Sequence, residues 1–293
     1  MVCSAAAHFL QAQELYVFTE PASNMAAHSL GFRLSNYLMP SAHGAKTSFR
    51  TDPEIMWGYN KNWMFHASGY FSNMYQTGLK AEGASLYTKY RFYSKDDIHA
   101  HFRMAAFGKI AVIGNPPTQA HTTMHTYTDA QGNTMWYPET KQIRNNDLAL
   151  DGNHSGYQLG LVATQLKNKL AVSASASYIN RLNNPGYDNF ETIDARHAVN
   201  FSASAGYLLF PKNYVDYGQT NVNLYVEMLG SKPIDGASYM LDAAPAVQFI
   251  FNSIARVDIG YRFRIAGNAS RMNNQAFLVR LEYNWLNAFQ SKN

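Results

Sequence analysis

The sequence predicts an all-β protein, a single antiparallel transmembrane β-barrel of about twelve strands. Three observations lead to this prediction. Long segments alternate apolar and polar residues with a period of two, which gives each strand two different faces. The chain has no apolar run of about 18 residues, the length that a membrane-spanning helix needs. Aromatic residues make up 14% of the chain, a bias typical of barrels with aromatic girdles at the membrane interfaces.

The alternation is clearest in the last predicted strand. Phe277, Leu281 and Tyr283 share one face, whereas Arg280 and Glu282 lie on the other. The same pattern predicts strands near residues 27–39, 46–59, 63–75, 82–94, 99–113, 155–166, 169–181, 196–210, 220–231, 238–252, 255–266 and 274–289. Each has about ten or more residues, which is enough for a tilted strand to cross a bilayer.

The connections between these strands alternate in length. Short ones, such as residues 60–62, are followed by longer ones, such as residues 182–195. Barrels commonly combine short periplasmic turns with longer loops on the outside. Residues 114–154 are too many for a turn and are rich in polar side chains. We expect them to form an extracellular loop, either projecting outward or folded inward as a plug.

A soluble all-β protein is the alternative, because it too alternates apolar and polar residues. The length of the strands and the aromatic residues near their ends favour the membrane barrel. The aromatic side chains expected in the interfacial belt are Trp57, Trp63, Tyr178, Tyr207, Trp285 and Phe289.

The polar face of the predicted strands is rich in charge, and in a barrel this face lines the lumen. The expected lumen-lining residues are Arg33, Glu54, Lys89, Arg91, Arg103, Lys109, Glu227, Asp242, Arg256, Asp258, Arg262, Arg280 and Glu282. They can fill the interior with ion pairs, or they can line a polar channel and set its ion preference. The sequence favours the first role for any single residue.

Composition excludes several other classes of protein. The chain has 24 basic and 20 acidic residues, a balance too even to predict nucleic-acid binding. The single cysteine, Cys3, permits neither an internal disulfide nor a cysteine metal site. No cofactor is expected. Residues 1–13 are interpreted as the remnant of a secretory signal and residues 14–293 as the barrel, which predicts an outer-membrane location.

Four stretches carry a resemblance to a known family. They are residues 20–25 (EPASNM), 53–58 (PEIMWG), 89–92 (KYRF) and 277–285 (FLVRLEYNW), the last followed by Phe289. Together they resemble an uncharacterised family of outer-membrane β-barrels from the Bacteroidota. That family is distantly similar to barrels linked to phenol degradation and the transport of hydrophobic compounds. The resemblance extends over nearly the whole chain from Glu14 and implies the barrel fold and the outer membrane, but no particular substrate.

Two kinds of chemical site were considered and not favoured. His121, Met124 and His125 carry ligand types that suit copper, but their spacing is not diagnostic. His66 and Ser68 share a strand face, as a lipase-like nucleophile and its base would, yet that face is the predicted lumen. We therefore expect no metal site and no enzymatic activity.

The sequence favours a porin-like channel or transporter for small or hydrophobic solutes. The alternative is a structural or partner-binding barrel whose lumen is closed by salt bridges, within a larger envelope complex. Either protein would contact outer-membrane lipid and the barrel-insertion machinery, and the alternative would also contact other envelope proteins.

Overall fold

The structure is a computed structural model that describes residues 16–42, 44, 46–97, 100–145, 147, 149–188, 195–212 and 218–289. The interpretation of residues 1–13 as a signal remnant concerns residues outside this part of the chain. The described residues form fourteen strands. Their bounds are β1 (Ser29–Pro40), β2 (Thr47–Gly58), β3 (Trp63–Ser72), β4 (Lys80–Asp96), β5 (Ala100–Ile113), β6 (Thr118–Thr128), β7 (Thr134–Arg144), β8 (Gly156–Lys167), β9 (Leu170–Arg181), β10 (His197–Phe210), β11 (Asn221–Pro233), β12 (Met240–Phe251), β13 (Ala255–Gly267) and β14 (Gln275–Trp285).

Twelve of these strands close into one antiparallel barrel, which confirms the predicted fold class. Each strand pairs with the next along the chain, except that β5 pairs with β8 across the long connection. The barrel closes where β1 pairs with β14. The shortest of these strands, β3, has 10 residues, so every strand is long enough to cross a bilayer.

The two ends of the barrel differ. One end carries the connections at residues 59–62, 97–99, 168–169, 211–220 and 252–254, and we call it the short-turn end because all of these but 211–220 are short. The other end carries the loop before β8 and the loop before β10, and we call it the long-loop end. Short turns face the periplasm in barrels of this kind.

The expected loop at residues 114–154 contains two strands that the sequence did not predict. Strands β6 and β7 form a separate two-stranded sheet at the long-loop end. Most side chains of this hairpin are exposed on both faces. The lipid-versus-water contrast that produces alternation in the barrel strands is therefore absent here, and the sequence pattern gave no signal.

The barrel wall has an apolar exterior and a polar interior. On β14, Leu281 and Tyr283 are at least 40% exposed, whereas Arg280 and Glu282 are 8% exposed. A soluble β-sandwich would instead bury its apolar face. A closed barrel with an apolar outer band is the form in which a sheet can span a membrane, because closure leaves no unpaired edge in lipid. The protein is therefore an outer-membrane barrel.

No helix among the described residues is long and apolar enough to cross a membrane.

The aromatic residues expected at the membrane interface lie on the outer face near the strand ends. Most of them lie at the short-turn end: Trp57, Trp63, Tyr207, Trp285 and Phe289. Tyr178 is half-buried near the long-loop end. At the short-turn end the rings contact one another, with centroid distances of 5.7 Å between Trp57 and Phe65 and 6.2 Å between Trp57 and Phe289.

Candidate functional site: the barrel lumen

The strand register places charged side chains beside one another on the inner face. Arg33 on β1 lies opposite Glu54 on β2 and opposite Glu282 on β14. Glu282 in turn lies opposite Arg256 on β13. Because side chains at directly opposed positions lie close together, the register alone brings acids and bases into contact around the wall.

The sequence-predicted lumen residues divide into two groups by burial. The buried ones are Arg33, Lys89, Glu227, Asp242, Arg256, Asp258, Arg280 and Glu282. The partly buried ones are Glu54, Arg91, Arg103, Lys109 and Arg262.

Arg33 is the centre of the largest of these ion-pair groups. Its guanidinium lies 2.9 Å from Glu54 and 2.7 Å from Glu282. A third carboxylate, Glu20, lies 2.8 Å away. Arg256 approaches Glu282 from the other side at 2.6 Å. A planar guanidinium can serve several carboxylates at once because it carries five N–H donors.

Glu20 belongs to a chain segment that lies inside the barrel. We call residues 16–28, which lead into β1, the inner segment. The backbone N–H groups of Val17 and Phe18 each donate to the Glu227 carboxylate at 2.8 Å. The Thr19 hydroxyl donates to the same carboxylate at 2.7 Å. Glu227 on β11 therefore holds the start of the inner segment with three hydrogen bonds.

The inner segment is then held on the opposite wall. The Lys89 ammonium donates to the carbonyl groups of Pro21 at 2.7 Å and Ser23 at 2.8 Å. The backbone N–H of Ala22 donates to the Thr164 hydroxyl at 2.9 Å. The inner segment thus crosses the lumen on side-chain hydrogen bonds, and we identify no strand pairing for it among the described residues.

A second segment enters the lumen from the long-loop end. We call residues 145, 147 and 149–155 the mouth segment. The Arg50 guanidinium donates to the carbonyl of Gly152 at 3.0 Å. The Tyr70 hydroxyl donates to the Asp151 carboxylate at 2.9 Å, and Lys109 forms an ion pair with the same carboxylate. Residues 114–154 therefore contribute both the outer hairpin and an inward-folded segment.

Two titratable groups of the mouth segment have shifted pKa values. Burial lowers the pKa of His154 to about 3, and the neighbouring Arg181 adds to this effect. Burial opposes ionisation of Asp147, but Arg271 and Arg262 outweigh it and lower the pKa of Asp147 to about 2. At neutral pH the docked mouth segment therefore carries a neutral imidazole and an ionised carboxylate.

A cavity of about 360 Å³ lies inside the barrel beside the inner segment and the mouth segment. The cavity is lined by residues of both segments and by the inner faces of the wall strands. Its volume lies at the lower end of the range for small-molecule sites. The barrel interior thus holds a central chamber with a segment of chain on each side of it.

Several residues of this chamber were not among the sequence-predicted lumen residues. Arg50 and Asp52 follow the same alternation on β2 as Glu54, so the pattern contained their signal. Asp147 and Arg271 lie in loops, where no periodicity applies. Arg271 contacts Asp242 at 2.8 Å and Asp147 at 3.4 Å, contacts that only the folded chain reveals.

The side chains considered for hydrolysis do not form a nucleophile and base pair. The Ser68 hydroxyl donates to Glu54 at 2.7 Å, and Nδ1 of His66 lies 3.4 Å from the same carboxylate. Both side chains belong to the ion-pair group around Arg33, where they help to satisfy the partly buried Glu54.

The side chains considered for metal binding lie on the outer hairpin. The register places His121 and His125 on one face of the hairpin and Met124 on the other. Nε2 of His125 lies 2.9 Å from Glu139. Within the described residues, no group of three or more His, Cys, Asp or Glu side chains is placed to hold a metal ion.

Solved structures of outer-membrane barrels are similar to this chain. An outer membrane channel from Pseudomonas putida F1 aligns with a TM-score of 0.54 and 11% identity, covering 92% of this chain and 100% of the channel. The KdgM porin aligns with a TM-score of 0.45 and 8% identity, covering 87% of this chain and 98% of the porin. The NanC porin aligns with a TM-score of 0.45 and 9% identity, with the same coverage.

Comparisons with family models and with curated protein sequences gave no match. At these identities the structural likeness shows the fold.

Proposed function

We propose that this protein is an outer-membrane channel that passes small solutes through its central chamber. The observation that carries the proposal is the cavity inside a membrane-spanning barrel, which polar and apolar side chains line together. The similar barrel from Pseudomonas putida F1 is itself described as an outer membrane channel, which is consistent with this role.

The inner segment and the mouth segment act as the two gates of this channel. Apart from the packing of Tyr16, Val17 and Leu150 in apolar clusters, both are held by hydrogen bonds and ion pairs from side chains. Such contacts can be exchanged for contacts with water, so a segment can leave its place without breaking the sheet. A channel closed in this way opens when one segment moves, while the wall stays intact.

Planar-bilayer recording tests the proposal. The full chain is expected to show brief, small openings. A Thr19→Ala, Glu227→Ala double variant, which removes the three hydrogen bonds at the start of the inner segment, is expected to show at least twofold more open time. A Tyr127→Ala variant on the outer hairpin is the matched control and should resemble the full chain. Folded, inserted barrels with no conductance in all three cases would overturn the proposal.

A different observation favours a second function, in which the barrel keeps its lumen closed and binds a partner protein. The outer hairpin exposes several aromatic side chains, among them Trp136, Tyr137 and Tyr127. Exposed aromatic side chains on a ribbon with free edges are typical of protein-binding surfaces. This function predicts an envelope protein that stays bound through detergent extraction and is lost when Trp136 and Tyr137 are changed to Ser. Isolation of the barrel as a lone monomer would count against it.

A further inference from the structure

Asp52 lies on the inner face of β2 and lines the central cavity. The register places it opposite Ser35 on β1. Its Oδ1 atom is shielded from solvent and has no hydrogen-bond partner among the described residues. No side chain in that part of the chain forms an ion pair with it. Asp52 is therefore an acid of the chamber that no donor among the described residues satisfies.

The cations near Asp52 are already engaged by other acids. Arg50 pairs with Glu82 at 3.0 Å, and Lys109 pairs with Asp151. The Nε atom of Arg280 donates to the Ser35 hydroxyl at 2.9 Å. A carboxyl oxygen that carries no proton can only accept hydrogen bonds, and a buried acceptor without a donor costs free energy. The chamber thus presents an acceptor that a donor from outside the chain could satisfy.

An apolar patch lines the chamber on the same side of the barrel. Met39, Met74 and Met272 are buried together, with Tyr37 packed against them. Tyr37 lies opposite Arg50 on β2. Arg50 is the inward-facing residue next to Asp52 along that strand. Methionine side chains adapt to ligands of different shape because they are unbranched and flexible. The chamber therefore combines one free acceptor with an adaptable apolar surface.

We infer that the chamber binds compact organic solutes that carry a hydrogen-bond donor, a hydroxyl or an ammonium group, on an apolar body. The donor group bonds to the Asp52 carboxylate and the apolar body packs on Met39 and Met272. This inference rests on the proposed channel function, since it names the class of solute that the channel takes. A cavity of about 360 Å³ limits these solutes to small molecules.

Calorimetric titration of the purified barrel in detergent tests the inference with matched probes. Benzyl alcohol and benzyl methyl ether differ in the presence of a donor, and benzylammonium and benzoate differ in the sign of their charge. We expect benzyl alcohol to bind at least tenfold more tightly than the ether, and benzylammonium at least tenfold more tightly than benzoate. Equal affinity within both pairs would overturn the inference.

Two substitutions at Asp52 identify the site. Asp52→Leu removes the acceptor and should abolish both preferences. Asp52→Asn keeps an acceptor oxygen but no charge, so it should retain the preference for the alcohol and lose that for benzylammonium. Asp235→Asn, an exposed carboxyl in the loop before β12, is the matched control and should retain both. Preferences that persist in Asp52→Leu would place the site elsewhere and overturn the inference.

The titration and the conductance recording can give opposite results, so failure of the binding site can be told apart from failure of the channel function. A barrel that conducts but binds all four probes equally would leave the channel in place and remove this site. A barrel that shows both preferences but never conducts would keep the site and remove the channel function. The shift in gel mobility between folded and heated barrel verifies that each Asp52 variant has folded, and if Asp52→Leu does not fold, the Asp52→Asn titration decides the test.

Discussion

Arg33 shows how one residue can link several parts of a barrel. It lies on the first strand and contacts Glu54 on the second, Glu282 on the last and Glu20 in the inner segment. Each of these acids is at most partly exposed. Removing one partner from a buried group of charges leaves the others without compensation, which costs more than the net gain from forming the group.

We expect Arg33→Met to destabilise the barrel by about 3–5 kcal/mol, the range for breaking a buried ion pair by removing one partner. Urea unfolding of the barrel in lipid vesicles measures this change. Lys141→Met, which removes an exposed ion pair with Glu139 on the outer hairpin, should leave stability nearly unchanged, because solvent screens an exposed pair. Similar losses for the two variants would mean that the Arg33 group is as weak as a surface pair.

The mouth segment differs from the barrel strands because its docking depends on a neutral buried histidine. The pKa of His154 is about 3 in the docked segment, against 6.5 for an ordinary histidine. As pH falls, the undocked segment therefore takes up a proton first, and docking loses free energy. The contribution of neutral His154 to the free energy of docking is fully present above about pH 6.5, and it is lost progressively as pH falls towards about 3.

We expect amide protection of residues 149–155, corrected for the intrinsic exchange rate, to fall as pH is lowered from about 7 to about 4. Asp147 contributes little in this range, since its carboxyl takes up a proton only from about pH 3.8 in the undocked segment down to about pH 2 in the docked one. Hydrogen exchange followed by mass spectrometry measures the protection. His154→Gln should remove most of the pH dependence, whereas His125→Gln on the outer hairpin should leave it unchanged. A pH dependence that survives His154→Gln would assign it to another group.

The whole molecule is ordered by the contrast between lipid outside and polar contacts inside, and this contrast was readable in the sequence. The predicted strand near residues 169–181 agrees with β9 (Leu170–Arg181), and the predicted strand near residues 255–266 agrees with β13 (Ala255–Gly267). Alternation is enforced at every barrel strand because a one-residue slip would turn each charged side chain into the lipid.

The rest of the candidate site could not be predicted, because its contacts do not arise from the contrast between lipid and polar surroundings that produces the alternation. Val17 and Phe18 are held through their backbone N–H groups, and a backbone contact leaves no mark in the side-chain pattern. Arg271 and Asp147 meet only because two loops fold into the same mouth. Asp52 lay within a predicted strand, but its lack of a partner depends on how its neighbours pair in three dimensions.

We expect Leu161→Arg, at an outward and exposed position in the middle of β8, to destabilise the membrane-inserted barrel by about 2–4 kcal/mol. A charge at mid-depth on the lipid face must be taken out of water without a partner. Equilibrium unfolding from lipid vesicles measures the loss. Tyr127→Arg on the outer hairpin is the control and should have little effect, and equal effects would argue that this wall does not face lipid.

The contacts of Arg33 also bear on how the barrel is assembled. The pairing of β1 with β14 closes the barrel, and Arg33 lies at that pairing while it contacts the inner segment through Glu20. Closure of the barrel and placement of the inner segment in the lumen therefore depend on the same guanidinium. A chain that seals while its lumen is still empty would lack one of three carboxylate partners, so maturation should favour barrels that are already filled when they close.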